Sequence, residues 1–192
     1  MELNLILTHA VNDERIALDL KGINIRYVRT GIGKVKSAIR LSDAIHSEQP
    51  DLVLNIGTAG SLDHPVGDVF VCREFIDRDF RKVGLPGLDY RQNTDHLFDE
   101  KMSFIRFEPA GICNTGDSFL TEASDIEGDV FDMEAYAQAL LCTEKKIPFL
   151  SVKYITDIIG QNSVKHWEDK LEDARKGLKE FIESRLFDLK PV

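Results

Sequence analysis

The sequence predicts an α/β fold, a sheet with helices on both faces in three layers, and three observations carry that expectation. Apolar runs of strand length alternate with amphipathic stretches along most of the chain. Most of the runs are near-continuous rather than strictly alternating, as strands buried on both faces require. The hydrophobic fraction of 43% and charged fraction of 30% are globular values, and 192 residues suffice for one domain with a sizeable core, expected to span 1–192.

The elements follow in chain order. Residues 3–7 and 23–28 are the first two apolar runs. Val35, Ala38, Ile39, Leu41, Ser42 and Ile45 then recur at helical spacing, and Pro50 with Asp51 punctuates before a third run at 52–56. A fourth run, 69–76, is longer and partly alternating. Residues 78–101 hold Gly84, Pro86 and Gly87 and no sustained period, so a long loop is expected there, a candidate lid or partner contact. Shorter strand candidates lie at 104–107 and 110–113. A helix is expected over 133–144, stopped before Pro148, and the β-branched and aromatic run 149–155 is the most hydrophobic strand. Finally Val164, Trp167, Leu171, Ala174, Leu178 and Phe181 repeat at spacings of three and four, a stripe expected to pack a terminal helix on the sheet.

Composition excludes several function classes. The net charge is −9 with acids scattered along the chain and no basic run, so a nucleic-acid partner is not expected. No stretch approaches the roughly 18 to 20 apolar residues of a membrane span, and residues 1–8 lack a basic lead-in to their apolar run. Cys72, Cys113 and Cys142 are widely spaced with no CxxC pair, which fits reduced thiols in a cytoplasmic protein and gives no zinc pattern. The five histidines, at 9, 46, 64, 96 and 166, show no metal-binding spacing and are read as surface or loop residues. No metal and no organic cofactor are expected. Without a Gly-x-Ser-x-Gly elbow, a serine hydrolase has no support.

Five short segments carry the chemistry. Thr30-Gly31-Ile32-Gly33-Lys34 follows a strand and opens a helix, but it lacks the spacing of a Walker loop or a dinucleotide fingerprint, so a close backbone turn is the simpler account. Asn55-Ile56-Gly57-Thr58-Ala59-Gly60-Ser61 ends a strand in small residues, where backbone can approach a ligand at a carboxyl end of the sheet; a tight turn is the alternative. Gly116-Asp117-Ser118-Phe119 is a similar turn with a ring that is either a base-stacking face or core. Asp132-Met133-Glu134 and Thr156-Asp157 place carboxylates at the edges of apolar segments, which is costly unless they are paired or protonated. Helix-end roles remain the alternatives for Glu134 and Asp157.

The order of these segments is more specific than any one of them. Gly-Ile-Gly-Lys-Val, then Asn-x-Gly-Thr-Ala-Gly, Gly-Asp-Ser-Phe, Asp-Met-Glu-Ala and a strand ending Ile-Thr-Asp resembles the nucleoside phosphorylase superfamily, most closely its methylthioadenosine/S-adenosylhomocysteine nucleosidase branch. The resemblance runs from about Leu3 to Lys179. It implies a central mixed, partly barrel-like sheet flanked by helices, and cleavage of the N-glycosidic bond of a purine nucleoside. Homodimers are common in that family, with the partner's loop closing the substrate pocket.

Carried over residue by residue, the resemblance implies that Glu134 holds the ribose 2′- and 3′-hydroxyls with Met133 packing on the sugar. Phe119 would stack on the purine, and backbone at Leu120 would read its edge. Thr58, Ala59, Gly60 and Thr156 join these as substrate-binding residues. Asp157 is similar to the general acid that protonates N7 of the leaving base. Ala10-Val11-Asn12-Asp13-Glu14 is similar to the family segment whose last Glu activates water, which makes Glu14 the second catalytic candidate. Such residue types fit the chemistry, because the ribosyl C–N bond breaks through an oxocarbenium-like state that negative charge and a proton on the base both stabilise.

Water or phosphate as acceptor decides the subclass. Phosphorylases of the superfamily place an Arg just before the Gly-rich segment, where this chain has Asn55, and their Gly-Asp-Pro-x-Arg phosphate segment is here Thr8-His9-Ala10. Hydrolysis is therefore expected, with Arg15 and Lys34 left as cations able to approach an anion. A phosphate-dependent enzyme and a non-catalytic nucleoside-binding protein are the alternatives. Relative to the family pattern, the chain is shortened around residues 17–22 and after Asp79. Lys153 and Asp132 stand where the nucleosidases have Arg and Glu.

Overall fold

The computed structural model describes residues 3–122, 126–161 and 163–188, without the side chains of residues 163–166 and 168. Eight strands form one sheet: β1 (Leu3–His9), β2 (Ile23–Arg29), β3 (Leu52–Ser61), β4 (Val69–Asp77), β5 (Arg91–Asn93), β6 (Ala110–Thr115), β7 (Val130–Asp132) and β8 (Phe149–Ile158). Four α-helices accompany them: α1 (Lys34–Ser47), α2 (Arg78–Val83), α3 (Ala135–Lys145) and α4 (Ser163–Phe181), the last continued by a π-helical turn Ile182–Leu186. Among the described residues no helix is long and apolar enough to cross a membrane.

The pairing is mixed, and it closes on itself. β3 pairs β8 in parallel and β7 in antiparallel, β8 pairs β4 in antiparallel, β4 pairs β6 in parallel, and β6 pairs β7 in parallel. These five strands make a ring. β1 and β2 extend it in parallel from β3, and β5 pairs β4. The partly barrel-like mixed sheet that the family resemblance implied is thus the one observed.

Each apolar strand serves two cores because successive side chains point to opposite faces. Leu5, Leu7, Leu54 and Leu150 face Ala174 and Leu178 of α4, whereas Ile6, Val53 and Phe149 face α1 and α3 through Leu41, Ala139 and Cys142. That two-sided burial explains the continuous apolar runs, and it yields the expected three layers. α3 starts where the Asp132 carboxylate accepts from the Ala135 and Glu134 N–H groups, satisfying donors that a helix start leaves open.

Several expectations are corrected. The segment 104–107 is not a strand: only Ile105 bridges, to Phe187, while Phe104 and Phe107 set their rings against Phe187 and Phe98. An aromatic run there serves packing rather than a ladder. The expected loop 78–101 holds α2, β5 and two 3₁₀ turns; Asp77 caps α2 by accepting from Asp79 and Phe80 N–H, a local signal hidden among polar residues. On α1 the buried residues are Ser37, Leu41, Ala44 and Ile45, so the apolar stripe is split, with Val35 at 68% and Ile39 at 55% exposed. The helix expected over 133–144 begins two residues later, at Ala135. His9 is buried at the end of β1, with Nδ1 on the Val11 carbonyl, and is not a surface residue. His166 and the Val164 side chain lie outside the described residues.

Candidate active site

A cleft opens where the carboxyl ends of six strands meet. Its walls come from Ala10 and Val11 after β1, Thr58, Ala59 and Gly60 of β3, Arg78 after β4, Phe119 and Leu120 after β6, Phe131 to Glu134 around β7, and Asp157 and Ile159 at the end of β8; Glu14, Ile32 and Trp167 complete it. Ligand crevices beyond strand carboxyl ends are a general property of sheets covered by helices. Of the ten residues singled out from sequence, nine line this cleft. Thr156 is the exception: its side chain is fully buried behind the wall and its hydroxyl donates to Asp157 Oδ1 at 2.9 Å.

The small-residue segment 57–61 is not a turn but the last part of β3, paired residue by residue with β8 across a bulge at Ala59/Gly60. Small residues are needed there because side chains press on the backbone. A Cβ at Gly60 would lie 3.0 Å from Asp157 Oδ2, and one at Gly57 would lie 3.2 Å from Glu14 Oε1 and 3.4 Å from Lys153 Nζ. The glycines therefore let three ionisable groups crowd one stretch of strand.

Each carboxylate has a different setting. Glu14, on a 3₁₀ turn after β1, is 6% exposed; its Oε1 accepts from Thr58 N–H at 2.9 Å and Thr58 Oγ1 at 2.8 Å, and its Oε2 from Ala10 and Val11 N–H at 3.2 and 3.3 Å. Glu134 accepts from the Gly33 N–H at 2.9 Å, which ties the turn before α1 to the start of α3. Burial pushes the Glu134 carboxyl up to about 8, and the negative charge of Asp132 adds to the push against Lys153 and the Gly33 N–H. Asp157 is 2% exposed, at the end of β8.

Under the cleft floor Lys153 Nζ meets Asp132 Oδ2 at 2.9 Å, both side chains almost wholly buried. Burial works against both charges, but their mutual attraction, with the Thr115 hydroxyl on Asp132, wins: the ammonium is held above its ordinary pKa and the carboxylate below.

Of the two cations offered to an anion, Lys34 is held by carboxylates. Lys34 Nζ lies 3.0 Å from Asp77 and 2.8 Å from Asp79, while the Arg15 guanidinium sits 5.2 Å from the Tyr27 ring centre. Lys34 is thus committed to two aspartates, while Arg15 is exposed.

Two wall residues escape sequence reasoning. Arg78 is 2% exposed and donates to the carbonyls of Asn114, Asp132, Gly116 and Ser118 at 2.6 to 3.2 Å, clamping the segment that carries Phe119. Nothing in its charged neighbourhood distinguishes it from a surface residue. Trp167 of the α4 stripe meets the sheet at its cleft end, where it lines the cleft and donates from Nε1 to Thr58 Oγ1 of β3 at 2.7 Å.

A family model described as the phosphorylase superfamily matches residues 12–184, nearly the whole chain. The chain belongs to the phosphorylase superfamily. Within it, the chain is similar to a 5′-methylthioadenosine/S-adenosylhomocysteine nucleosidase of Geobacillus kaustophilus, 30% identical with 89% of this chain and 83% of the relative covered. A protein of the same name from Bacillus subtilis is 29% identical over 81% of this chain and 78% of its own. The superfamily fold is also matched in crystal structures of nucleosidases of that name. One from Colwellia psychrerythraea, in complex with adenine, gives a TM-score of 0.78 at 24% identity, covering 98% of this chain and 97% of that one. One from Helicobacter pylori, with 5′-methylthioadenosine in the active site, gives 0.78 at 18%, covering 96% and 98%.

Proposed function

We propose that the chain is a nucleosidase that hydrolyses the N-glycosidic bond of a purine nucleoside, 5′-methylthioadenosine or S-adenosylhomocysteine, to free base and sugar. The observation that carries this reading is the convergence on one cleft of Glu14, Glu134 and Asp157, three acids from distant parts of the chain. The names of the relatives at about 30% identity support the substrate class.

In this reading Phe119 stacks on the purine and Leu120 backbone reads its edge, while Met133 packs on the sugar and Glu134 holds the 2′- and 3′-hydroxyls. Thr58, Ala59 and Gly60 form the floor beneath them, and Thr156 steadies Asp157. Asp157 delivers a proton to N7 as the bond from C1′ to N9 lengthens, so the base leaves neutral. Water adds its oxygen to C1′ and gives a proton to Glu14. Glu134 holds a proton near neutral pH. Sugar hydroxyls donating to it, and the positive charge growing at C1′, favour its ionised form as the reaction proceeds.

Water rather than phosphate as the acceptor is supported by Lys34 being held by Asp77 and Asp79 and by Asn55, buried with its amide on Thr8 Oγ1 and its carbonyl accepting from Ser151. The protein works in the cytoplasm as a homodimer. The face supporting the dimer is the apolar one that Ile32, Val35 and Ile39 leave exposed beside the cleft.

The test is release of adenine from 5′-methylthioadenosine in phosphate-free buffer, with Asp157→Asn as the probe. Turnover is expected without phosphate and is expected to fall at least about 100-fold in the variant, within the usual reach of general acid catalysis, with the fold intact by circular dichroism. Activity that appears only with phosphate would make the enzyme a phosphorylase. Near-wild-type turnover in the variant would remove Asp157 from the acid role, and tight base binding without cleavage would leave only a binding protein.

A further inference from the structure

Among the groups that the proposed chemistry leaves unused, Trp167 is the one with a directed path to a reacting side chain. Its indole N–H can only donate, and it donates to Thr58 Oγ1 at 2.7 Å. The Thr58 hydroxyl has a single proton. With its oxygen occupied by the indole, that proton goes to Glu14 Oε1 at 2.8 Å, alongside the Thr58 N–H at 2.9 Å. Oε1 is thereby fixed by two short contacts, while among the described residues Oε2 is held by the longer 3.2 and 3.3 Å contacts from Ala10 and Val11. The direction of the whole chain, indole to hydroxyl to carboxylate, follows from the donor-only character of its first member.

α4 grips the same segment elsewhere. Arg175 Nη1 donates to the carbonyl of Asp13, the residue before Glu14, at 3.0 Å, and Lys179 Nζ to that of Ala17 at 2.8 Å. The helix therefore holds the turn that carries Glu14 from its backbone side and, through Thr58, from its carboxylate side. A ring placed only to fill a groove needs no such relay.

We propose that Trp167 is a positioning residue for Glu14: through the Thr58 hydroxyl it locks one carboxylate oxygen so that the other is presented to the attacking water. This inference rests on the nucleosidase reading above, because it assigns no step of its own and acts through the base of that reaction. Activation of a base by a third, orienting group is a recurrent arrangement in enzymes.

The experiment is a double-mutant cycle in the full chain, with 5′-methylthioadenosine as substrate. Trp167→Phe keeps an aromatic ring and removes the N–H; kcat is expected to fall about 5- to 10-fold, the scale of one neutral hydrogen bond, with KM within about twofold. Thr58→Val is expected to lower kcat at least as much, and the double variant is expected to be no slower than Thr58→Val alone, because both break one chain. A rise in KM at constant kcat for Trp167→Phe, or losses that multiply in the double variant, would overturn the proposal.

Trp167 is the only tryptophan in the sequence, so its emission reports on the link without any substitution at 167. The emission maximum is expected to move in Thr58→Val, where the indole loses its acceptor, and an unmoved maximum would overturn the link even if Trp167→Phe failed to fold. The two readings fail separately. Should the wild-type protein release no base, the nucleosidase reading falls and with it the proposed role, while the emission shift still decides whether Trp167 and Thr58 are joined in solution.

Discussion

Replacing Glu134 by Gln should change how the stability of the fold depends on pH, because it freezes the neutral form of a group whose titration is coupled to folding. The carboxyl titrates at about 8 in the folded chain against an ordinary value of 4.5, burial being the main cause. Between those two values the folded chain retains a proton that the unfolded chain has released. Stability from this group is therefore intact below about pH 4.5, falls as pH rises through the window, and levels off above about pH 8. At about 1.36 kcal/mol for each pH unit, the full span amounts to about 5 kcal/mol, a large share of the stability of an ordinary domain.

The assay is urea unfolding of the wild type and of Glu134→Gln at about pH 5, 7 and 9, followed by circular dichroism. Other titrating groups contribute to both proteins and largely cancel in the difference. The wild type is expected to lose about 4 kcal/mol relative to the variant between the first pH and the last, most of it by pH 8. A difference that stays constant with pH, or in which the wild type gains on the variant as pH rises, would refute the assignment of a proton to Glu134.

Two further outcomes can be checked directly. Lys153→Met should cost about 3 to 5 kcal/mol in urea unfolding, since it leaves Asp132 buried without its counter-charge, and Lys153→Met with Asp132→Asn, which removes the charge but keeps an oxygen to cap α3, should recover part of that loss; a double variant less stable than the single one would contradict the pairing. Val35→Glu with Ile39→Glu should convert a dimer to a monomer by light scattering, with an unfolding midpoint that no longer depends on protein concentration, because both side chains are exposed in the single chain; a monomeric wild type would dismiss that face as an interface.

What could be seen in the sequence follows from what each signal depends on. The strands of the ring core were legible because burial on both faces writes itself as an unbroken apolar run, as in Leu52, Val53 and Leu54. β7 was not, being three residues long and held by neighbours rather than by composition. The run at 104–107 was misleading for a physical reason: aromatic side chains that pack irregularly have the same composition as a strand, and only pairing partners distinguish them. Glu134 and Asp157 stood out because carboxylates beside apolar segments are costly and need an explanation, whereas Glu14 was visible only through the resemblance of residues 10–14 to a family segment. Arg78 and Trp167 did not stand out, since a buried guanidinium satisfied by four carbonyls, and an indole bonded to a strand hydroxyl at the cleft wall, are decided by tertiary neighbours with no local trace.

The ring of strands is completed late. β8, which joins β3 to β4, pairs Val53 with Phe149, and until that strand leaves the ribosome the nascent chain carries two apolar edges with nothing to bind them. A translation product stopped before residue 149 would have Glu14 and Glu134 but no Asp157 and no closed ring, and its open edges would favour aggregation over partial activity.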